Sequence, residues 1–331
     1  MTSHLILIAW ENRRETLADL DRMARRVSEL DPAIAAQVVS KRQRDQYRLL
    51  PLWLRPALSL SMIDVTKRKL LPGRFVSAKR MGKRGEYERM DRVGIPVPRW
   101  QVMTAETCLD PAEWGPYVVE KPDRGRVGAN IRIRRTGRMQ YVPPESWPAD
   151  HYGRDGPMLA QQFIYTGEWP TSYRVVTFFG EVLMSVRQTT RDRGQPLTGR
   201  WDFKTGGLSI VSNTKSMEVV MDKDREVVAL AERAHRLAFG DIPLLGFDII
   251  RDADTGALFI LECHAHGTAW MFSSGMGLGI QTDNRINFES QYDGIEKAAR
   301  ILARVTPRLA ARRSPLPGGR PARWADLVPE T

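Results

Sequence analysis

Apolar runs of strand length and apolar stripes of helical spacing are mixed along this chain. That pattern predicts an α+β protein rather than a regular βαβ succession. Residues 5–10 read as a first strand, a helix follows from near Glu15, and residues 57–65 read as a further strand. Residues 83–93 are predicted helical, with Tyr87, Met90 and Val93 at helical spacing. Gly94 falls where a left-handed C-cap belongs, and Pro96 blocks continuation. Strands are expected at 97–103, 117–121, 130–134, 158–164, 173–179, 182–188, 245–251 and 257–263. Asp222 is expected to cap a helix whose apolar stripe is Val227, Leu230, Ala234 and Leu237 and which Gly240 ends. The chain thus divides into a small α/β part (1–78), two α+β parts (79–155 and 156–310) and a basic tail rich in Pro and Gly (311–331). The tail is expected to be disordered.

Two predicted hairpins place like charges face to face. Centring LLGFDIIRDADTGALFILECH on Thr255 sets Asp248 opposite Glu262, each seven residues away, with Leu258, Ile260, Glu262 and His264 on one face. Opposed carboxylates on an apolar strand pair repel, and burial aggravates the repulsion. A divalent cation between them, Mg2+ or Mn2+, relieves it. The alternative is a register shifted by a residue or two, which takes the acids to solvent separately. In SYRVVTFFGEVLMSVRQ, a two-residue turn at Gly180 and Glu181 pairs Phe179 with Val182 and sets Arg174 opposite Arg187. A bound phosphate suits two such guanidinium forks. The alternative is that the two arginines run to opposite edges.

In YVVEKPDRGRVGANI, Lys121 ends an apolar strand, and Gly125 and Gly128 follow in a loop where backbone N–H groups can approach phosphate oxygens. It is no P-loop, since GxxxxGK[ST] occurs nowhere in the chain, and GMGLG at 275–279 lacks the spacing of a dinucleotide fingerprint.

Composition narrows the class. The chain has 331 residues, 42% hydrophobic and 27% charged, ordinary for a globular protein with a large core. Its two cysteines, Cys108 and Cys263, argue against a disulfide scaffold and fit a reducing cytoplasm. No apolar run reads as a membrane span, and the first apolar run, with no basic segment before it, reads as a core strand rather than a signal peptide. The formal net charge of +11 is concentrated in residues 41–99 and after Thr306. No nucleic-acid-binding motif accompanies it, so a solvated basic face is favoured over a nucleic-acid partner.

Four segments, in order, resemble the ATP-grasp superfamily, and within it the carboxylate–amine ligases such as D-alanine–D-alanine ligase and the ribosomal protein glutamate ligase. They are MGKRGEYERMDRVGIPVPRW, VVEKPDRGRVGANI, MLAQQFIYTGE with its RVV hairpin, and GFDIIRDADTGALFILECH. The resemblance implies an ATP-grasp fold, with two α+β lobes enclosing ATP and a small α/β domain before them. It implies that Lys83 and Lys121 are the nucleotide lysines and that Arg124, Gly125 and Gly128 belong to the loop over the phosphates. It implies that Gln161, Phe163 and Ile164 line the adenine hinge and that Glu168 holds the ribose. Arg174 and Arg187 match catalytic positions that bind phosphate or the acyl phosphate. Asp248 and Glu262 match the metal carboxylates.

His264 departs from the Glu-x-Asn pattern of that family. It can stand as a substitute ligand suited to Mn2+ or Zn2+, miss the metal and contact substrate or solvent, or mark a degenerate site. Gly246 departs from the arginine of D-alanine–D-alanine ligase, which favours the glutamate-ligase-like branch. The expected activity is amide or peptide bond formation through an acyl phosphate, with ATP and Mg2+ or Mn2+ and with small-molecule or peptide carboxylate and amine substrates. Phosphotransfer on the same scaffold and non-catalytic ATP binding are the alternatives. Residues 189–216 can form a lid or acceptor loop or be a disordered loop without a role, His266 is expected to be a loop histidine rather than an acid–base group near the acceptor, and a homo-oligomer is left open.

Overall fold

The computed structural model describes residues 2–9, 14–40, 52, 54–64, 71–125, 128–190, 217–265, 269–310 and 323–326. The expected lid, apart from Thr189 and Thr190, and His266 lie outside them, as does most of the tail.

Residues 1–78 hold a parallel sheet of β1 (Ser3–Ala9), β2 (Ile34–Ser40), β3 (Ala57–Ser61) and β4 (Arg74–Ser77), in the order β2-β1-β3-β4. The unbroken apolar run of β1 follows from burial on both faces. Leu5, Leu7 and Ala9 enter the main core, and Ile6 and Ile8 enter a smaller cluster with Ala57. Helix α1 (Arg14–Leu30) packs on this sheet through Leu20, Met23, Ala24 and Val27.

Helix α2 (Lys83–Asp91) ends as its sequence dictates, with Gly94 at φ +68 and the Ile95 amide donating to the Met90 carbonyl. After it come β5 (Trp100–Val102), the short α3 (Pro111–Trp114), β6 (Tyr117–Pro122), β7 (Arg132–Arg135) and β8 (Met158–Gln162). Their strands form an antiparallel sheet in the order β5-β8-β6-β7.

The third sheet is also antiparallel, in the order β11-β10-β9-β12-β13. Its strands are β9 (Thr171–Phe178), β10 (Glu181–Thr190), β11 (Met217–Met221), β12 (Leu244–Arg251) and β13 (Leu258–His264). Helix α4 (Arg225–Phe239) covers one face with Val227, Leu230, Ala231 and Ala234; Leu237, expected on that stripe, is exposed. Its N-cap is Asp224, which accepts from the Glu226 and Val227 amides, rather than Asp222. The chain closes with α5 (Gly275–Asn284), α6 (Glu289–Tyr292) and α7 (Gly294–Ala310). Helix α7 packs against α1, β1, β3 and β10, so one core joins the parallel sheet to the third sheet.

Two expectations are corrected here. The β9–β10 turn is Phe179–Gly180, one residue earlier than expected, with both residues at positive φ (+46 and +81). Packing decides the shift. Phe179 is buried, its amide donates to the Pro243 carbonyl, and its ring meets Phe178 and Trp324 edge-on. The tail is not wholly without structure either. Trp324 is buried and its indole N–H donates to the Ile242 carbonyl at 2.8 Å. Among the described residues no helix is long and apolar enough to cross a membrane.

Candidate functional site

Asp248 on β12 faces Glu262 on β13, as the sequence predicts, but the register owes this to a bulge. Ile249 pairs with Ile260 and Asp248 with Glu262, so Leu261 is the extra residue. It separates Ile260, which joins the core under α4, from Glu262, which lies with Asp248 on the other face. The expectation that Leu258 and Ile260 share a face with Glu262 and His264 is therefore corrected. His264, paired with Gly246, does share it.

The cluster supplies its own countercharges. Arg174 of β9, paired with Asp248, donates to both its carboxylate oxygens, Nε at 2.5 Å and Nη2 at 2.8 Å. His264 Nε2 lies 3.1 Å from Asp248 Oδ2 and 3.2 Å from Glu262 Oε1. Lys83 Nζ, on α2, lies 3.5 Å from Glu262 Oε2. Arg174, His264 and Lys83 thus lie against the two carboxylates, which with His264 form a candidate cation cluster. Burial and Arg174 work against a charged imidazole, but the hydrogen bonds to Asp248 and Glu262 raise His264 to about 9. Burial pushes the Glu262 carboxyl up, and His264, Lys83 and Lys121 outweigh it and hold it well below the usual carboxylate range.

The arginine pair does not form. Arg174 pairs with Val186 and Arg187 with Tyr173, so the two guanidiniums leave opposite faces of the sheet. The cause is the earlier turn together with the bulge between Val182 and Met184. Arg187 instead lies 3.2 Å from Asp222 and lines a depression of about 300 Å³ with Tyr173, Thr171 and Arg251.

Lys121 is 4% exposed at the end of β6, and burial brings its ammonium down to about 7. It donates to the Tyr87 hydroxyl, which also receives Gln161 Nε2 at 3.0 Å and itself donates to the Leu261 carbonyl. Beside it, Glu86 accepts from the Cys263 amide at 3.1 Å; burial raises that carboxyl to about 7. Asp123, which follows β6, binds the start of α2: its carbonyl accepts from the Lys83 amide and its Oδ1 from the Arg84 amide. A Cβ at Gly82 would sit 2.1 Å from an Asp123 carboxylate oxygen, so any larger residue there would have to displace that side chain from the start of α2. Lys83, Lys121, Asp248, Glu262 and His264 are thereby brought together by α2, β6, β12 and β13. Pattern reading missed Asp123, Glu86 and Tyr87. The one signal for them was a charged Glu86 beside Tyr87 on the helical stripe that α2 buries.

Along the face of β6 that carries Lys121 stand Val119 and Tyr117, with Ile133 and Gln161 opposite Val119. Tyr117, Val119, Ile133, Phe163 and Tyr165 pack as one apolar patch. Ile164 is buried outside that patch, and Glu168 is exposed between β8 and β9. Arg124 is exposed, while Gly125 and Gly128 flank residues 126 and 127, which lie outside the described residues.

The donor set fits a divalent cation. One ligand atom each from Asp248, Glu262 and His264 lie within 4.8 Å of one another. Two carboxylates suit Mg2+ or Mn2+, and the imidazole moves the preference toward Mn2+. A cation there would compete with Arg174 for the Asp248 oxygens and with a proton for His264 Nε2.

No family model matches the sequence and no curated protein matches it. Among solved structures, the chain is similar to D-alanine–D-alanine ligase from Bacillus anthracis, at 12% identity over 92% of this chain and 98% of that one, with a TM-score of 0.48. It is similar to a RimK-domain ATP-grasp protein from Sphaerobacter thermophilus, at 15% identity over 90% and 98% of the two chains, with a TM-score of 0.44. Similarity to ATP-grasp ligase PsnB, solved with a phosphomimetic variant of a minimal precursor, Mg and ADP, reaches 21% identity and a TM-score of 0.39. It takes in 66% of this chain and 58% of that one, less than two thirds of its length. At these identities and TM-scores the likenesses carry no residue role, activity or substrate over to this chain.

Proposed function

We propose that this chain is an ATP-dependent ligase of the ATP-grasp type, joining a carboxylate to an amine through an acyl phosphate. The observation that carries the reading is one polar network. It links Lys83 and Lys121 to Asp248, Glu262 and His264 at the junction of two antiparallel sheets. The apolar patch on the Lys121 face suits a purine base at one end, and the lysines and acids suit a triphosphate with its cation at the other.

In this reading Tyr117, Val119, Ile133 and Phe163 seat the adenine. Lys121 and Lys83 neutralise phosphate oxygens, and Arg174 turns from Asp248 to the transferring phosphoryl group. Asp248, Glu262 and His264 would hold a divalent cation, which when bound would supply charge neutralisation to the triphosphate. The substrate carboxylate attacks the γ-phosphorus and ADP leaves. The amine then attacks the acyl carbon, phosphate leaves and the amine gives up a proton. Arg187, on the opposite sheet face, has no part in these steps. Arg124, Gly125 and Gly128 flank the phosphates, and Glu168 takes the ribose.

The test is ADP release with Mg2+ or Mn2+ across a panel of amino acids, short peptides and polyamines. Stimulation by a carboxylate and amine pair, with an amide product and with loss of activity in Lys121→Met, is expected. A stable phosphate ester in place of an amide would overturn the ligase reading in favour of phosphotransfer. A second reading is favoured by Arg174 covering both oxygens of Asp248: a nucleotide-binding protein that turns over nothing. Tight ATP binding with no ADP release for any pair would select it.

A further inference from the structure

Strand β13 is an edge strand, yet the backbone on either side of Glu262 is engaged. The Tyr87 hydroxyl donates to the carbonyl of Leu261, the bulge residue, and Glu86 Oε2 accepts from the Cys263 amide at 3.1 Å. Both side chains are buried, 0% and 7% exposed, and both come from one turn of α2. The Tyr87 hydroxyl is itself oriented by Lys121 and by Gln161 Nε2. A bulge is a local choice of register. Without the extra residue, Asp248 would face Leu261, and Glu262 would point toward the core under α4. We infer that Tyr87 and Glu86 are positioning residues that clamp the Leu261 bulge and so aim the Glu262 carboxylate at Asp248. The pair of acids is assembled only while α2 is docked. The helix that carries Lys83 therefore also sets the cation site. This rests on Asp248 and Glu262 being cation ligands, as proposed above.

The test uses the full chain and Mn2+ alone, titrated by electron paramagnetic resonance, in Tyr87→Phe, Glu86→Leu, Glu86→Gln and Met90→Ala. Met90 is equally buried on α2 and makes no polar contact with β13, so its truncation reports helix docking alone. Tyr87→Phe and Glu86→Leu are expected to weaken Mn2+ at least tenfold. Glu86→Gln keeps an acceptor for the Cys263 amide and stays within threefold of wild type. Met90→Ala lowers the melting temperature and leaves Mn2+ affinity unchanged. Equal weakening by Met90→Ala, or unchanged affinity in a folded Tyr87→Phe, overturns the clamp. The second arm needs no cation. Labelling with 15N-cysteine gives two amides, Cys263 in the clamp and the exposed Cys108 as internal reference. Hydrogen exchange at Cys263 should quicken at least tenfold in Tyr87→Phe and Glu86→Leu, beyond any change in global stability, and recover in Glu86→Gln. If wild type binds no Mn2+, the cation reading falls while Cys263 exchange still decides the clamp. If Tyr87→Phe does not fold, Glu86→Leu and its Gln rescue decide it.

Discussion

Replacing Glu262 with Gln removes one of the two carboxylates that hold His264 charged, with little change in shape. The imidazole is lifted from 6.5 to about 9, which corresponds to at most about 3 kcal/mol of preference for the charged form. A quarter of the side chain is solvent-exposed, so screening keeps the real figure below that bound. Burial and Arg174 oppose the lift, and Asp248 and Glu262 supply it from 3.1 and 3.2 Å. Losing one of two near-equal partners should lower the His264 pKa by about one unit or more. The sign for stability follows from a folded pKa raised above the unfolded one. The contribution is complete below about pH 6.5 and is lost as pH rises through about 9. Glu262→Gln should therefore cost stability at pH 6 and little at pH 9.5. The assay is 15N-histidine NMR titration, with His264 assigned among the five histidines by a His264→Asn sample, alongside urea denaturation at both pH values. A wild-type His264 titrating near 6.5, or one unmoved by Glu262→Gln, refutes the reasoning.

Because a cation must displace the His264 proton, Mn2+ affinity should rise by up to about tenfold per pH unit between pH 6.5 and 8.5, measured calorimetrically. Arg174→Met frees Asp248 and should tighten Mn2+ binding without nucleotide, whereas Arg187→Met, on the other face, should leave it unchanged; equal effects would contradict the register. His235 is fully buried between the Thr177 hydroxyl and the Ile242 carbonyl, and burial lowers it to about 4. The unfolded chain then takes up a proton the folded one refuses, so up to about 3 kcal/mol of stability is lost as pH falls from 6.5 toward 4. Urea denaturation of His235→Gln should show a flatter pH slope over that window. Asp19 is buried and accepts from Trp270 Nε1 at 2.8 Å and Ser273 Oγ at 2.5 Å. Asp19→Leu strands both donors and should cost about 1–3 kcal/mol by urea denaturation.

Local periodicity was enough for α2 and its Gly94 stop and for most strands of the two antiparallel sheets, and counting from the turn paired Asp248 with Glu262 without foreseeing the bulge that makes the pairing. It failed where tertiary packing chose between adjacent registers. Phe179 took a left-handed turn because its ring is buried against Trp324, a residue far along the chain that no local window contains. That one-residue shift, with the β10 bulge, separated Arg174 from Arg187. The Leu261 bulge worked the other way, restoring by tertiary contact a pairing that symmetric counting had found without it. Countercharges were equally illegible. Opposed acids suggest a missing cation, but Arg174, Lys83 and His264 come from β9, α2 and β13 itself, and only the fold brings them to the same carboxylates.

Trp324 carries a consequence for how the molecule is made. Its indole seals Phe179 and the Ile242 carbonyl, groups laid down 145 and 82 residues earlier in synthesis. Until the ribosome has delivered that side chain, the third sheet leaves an aromatic corner open to water or to neighbouring nascent chains. A stop codon just after Ala310 would leave every ligand of the proposed cation site in place. The polypeptide it yields should nonetheless aggregate more readily and demand more from chaperones than the intact proposed site suggests.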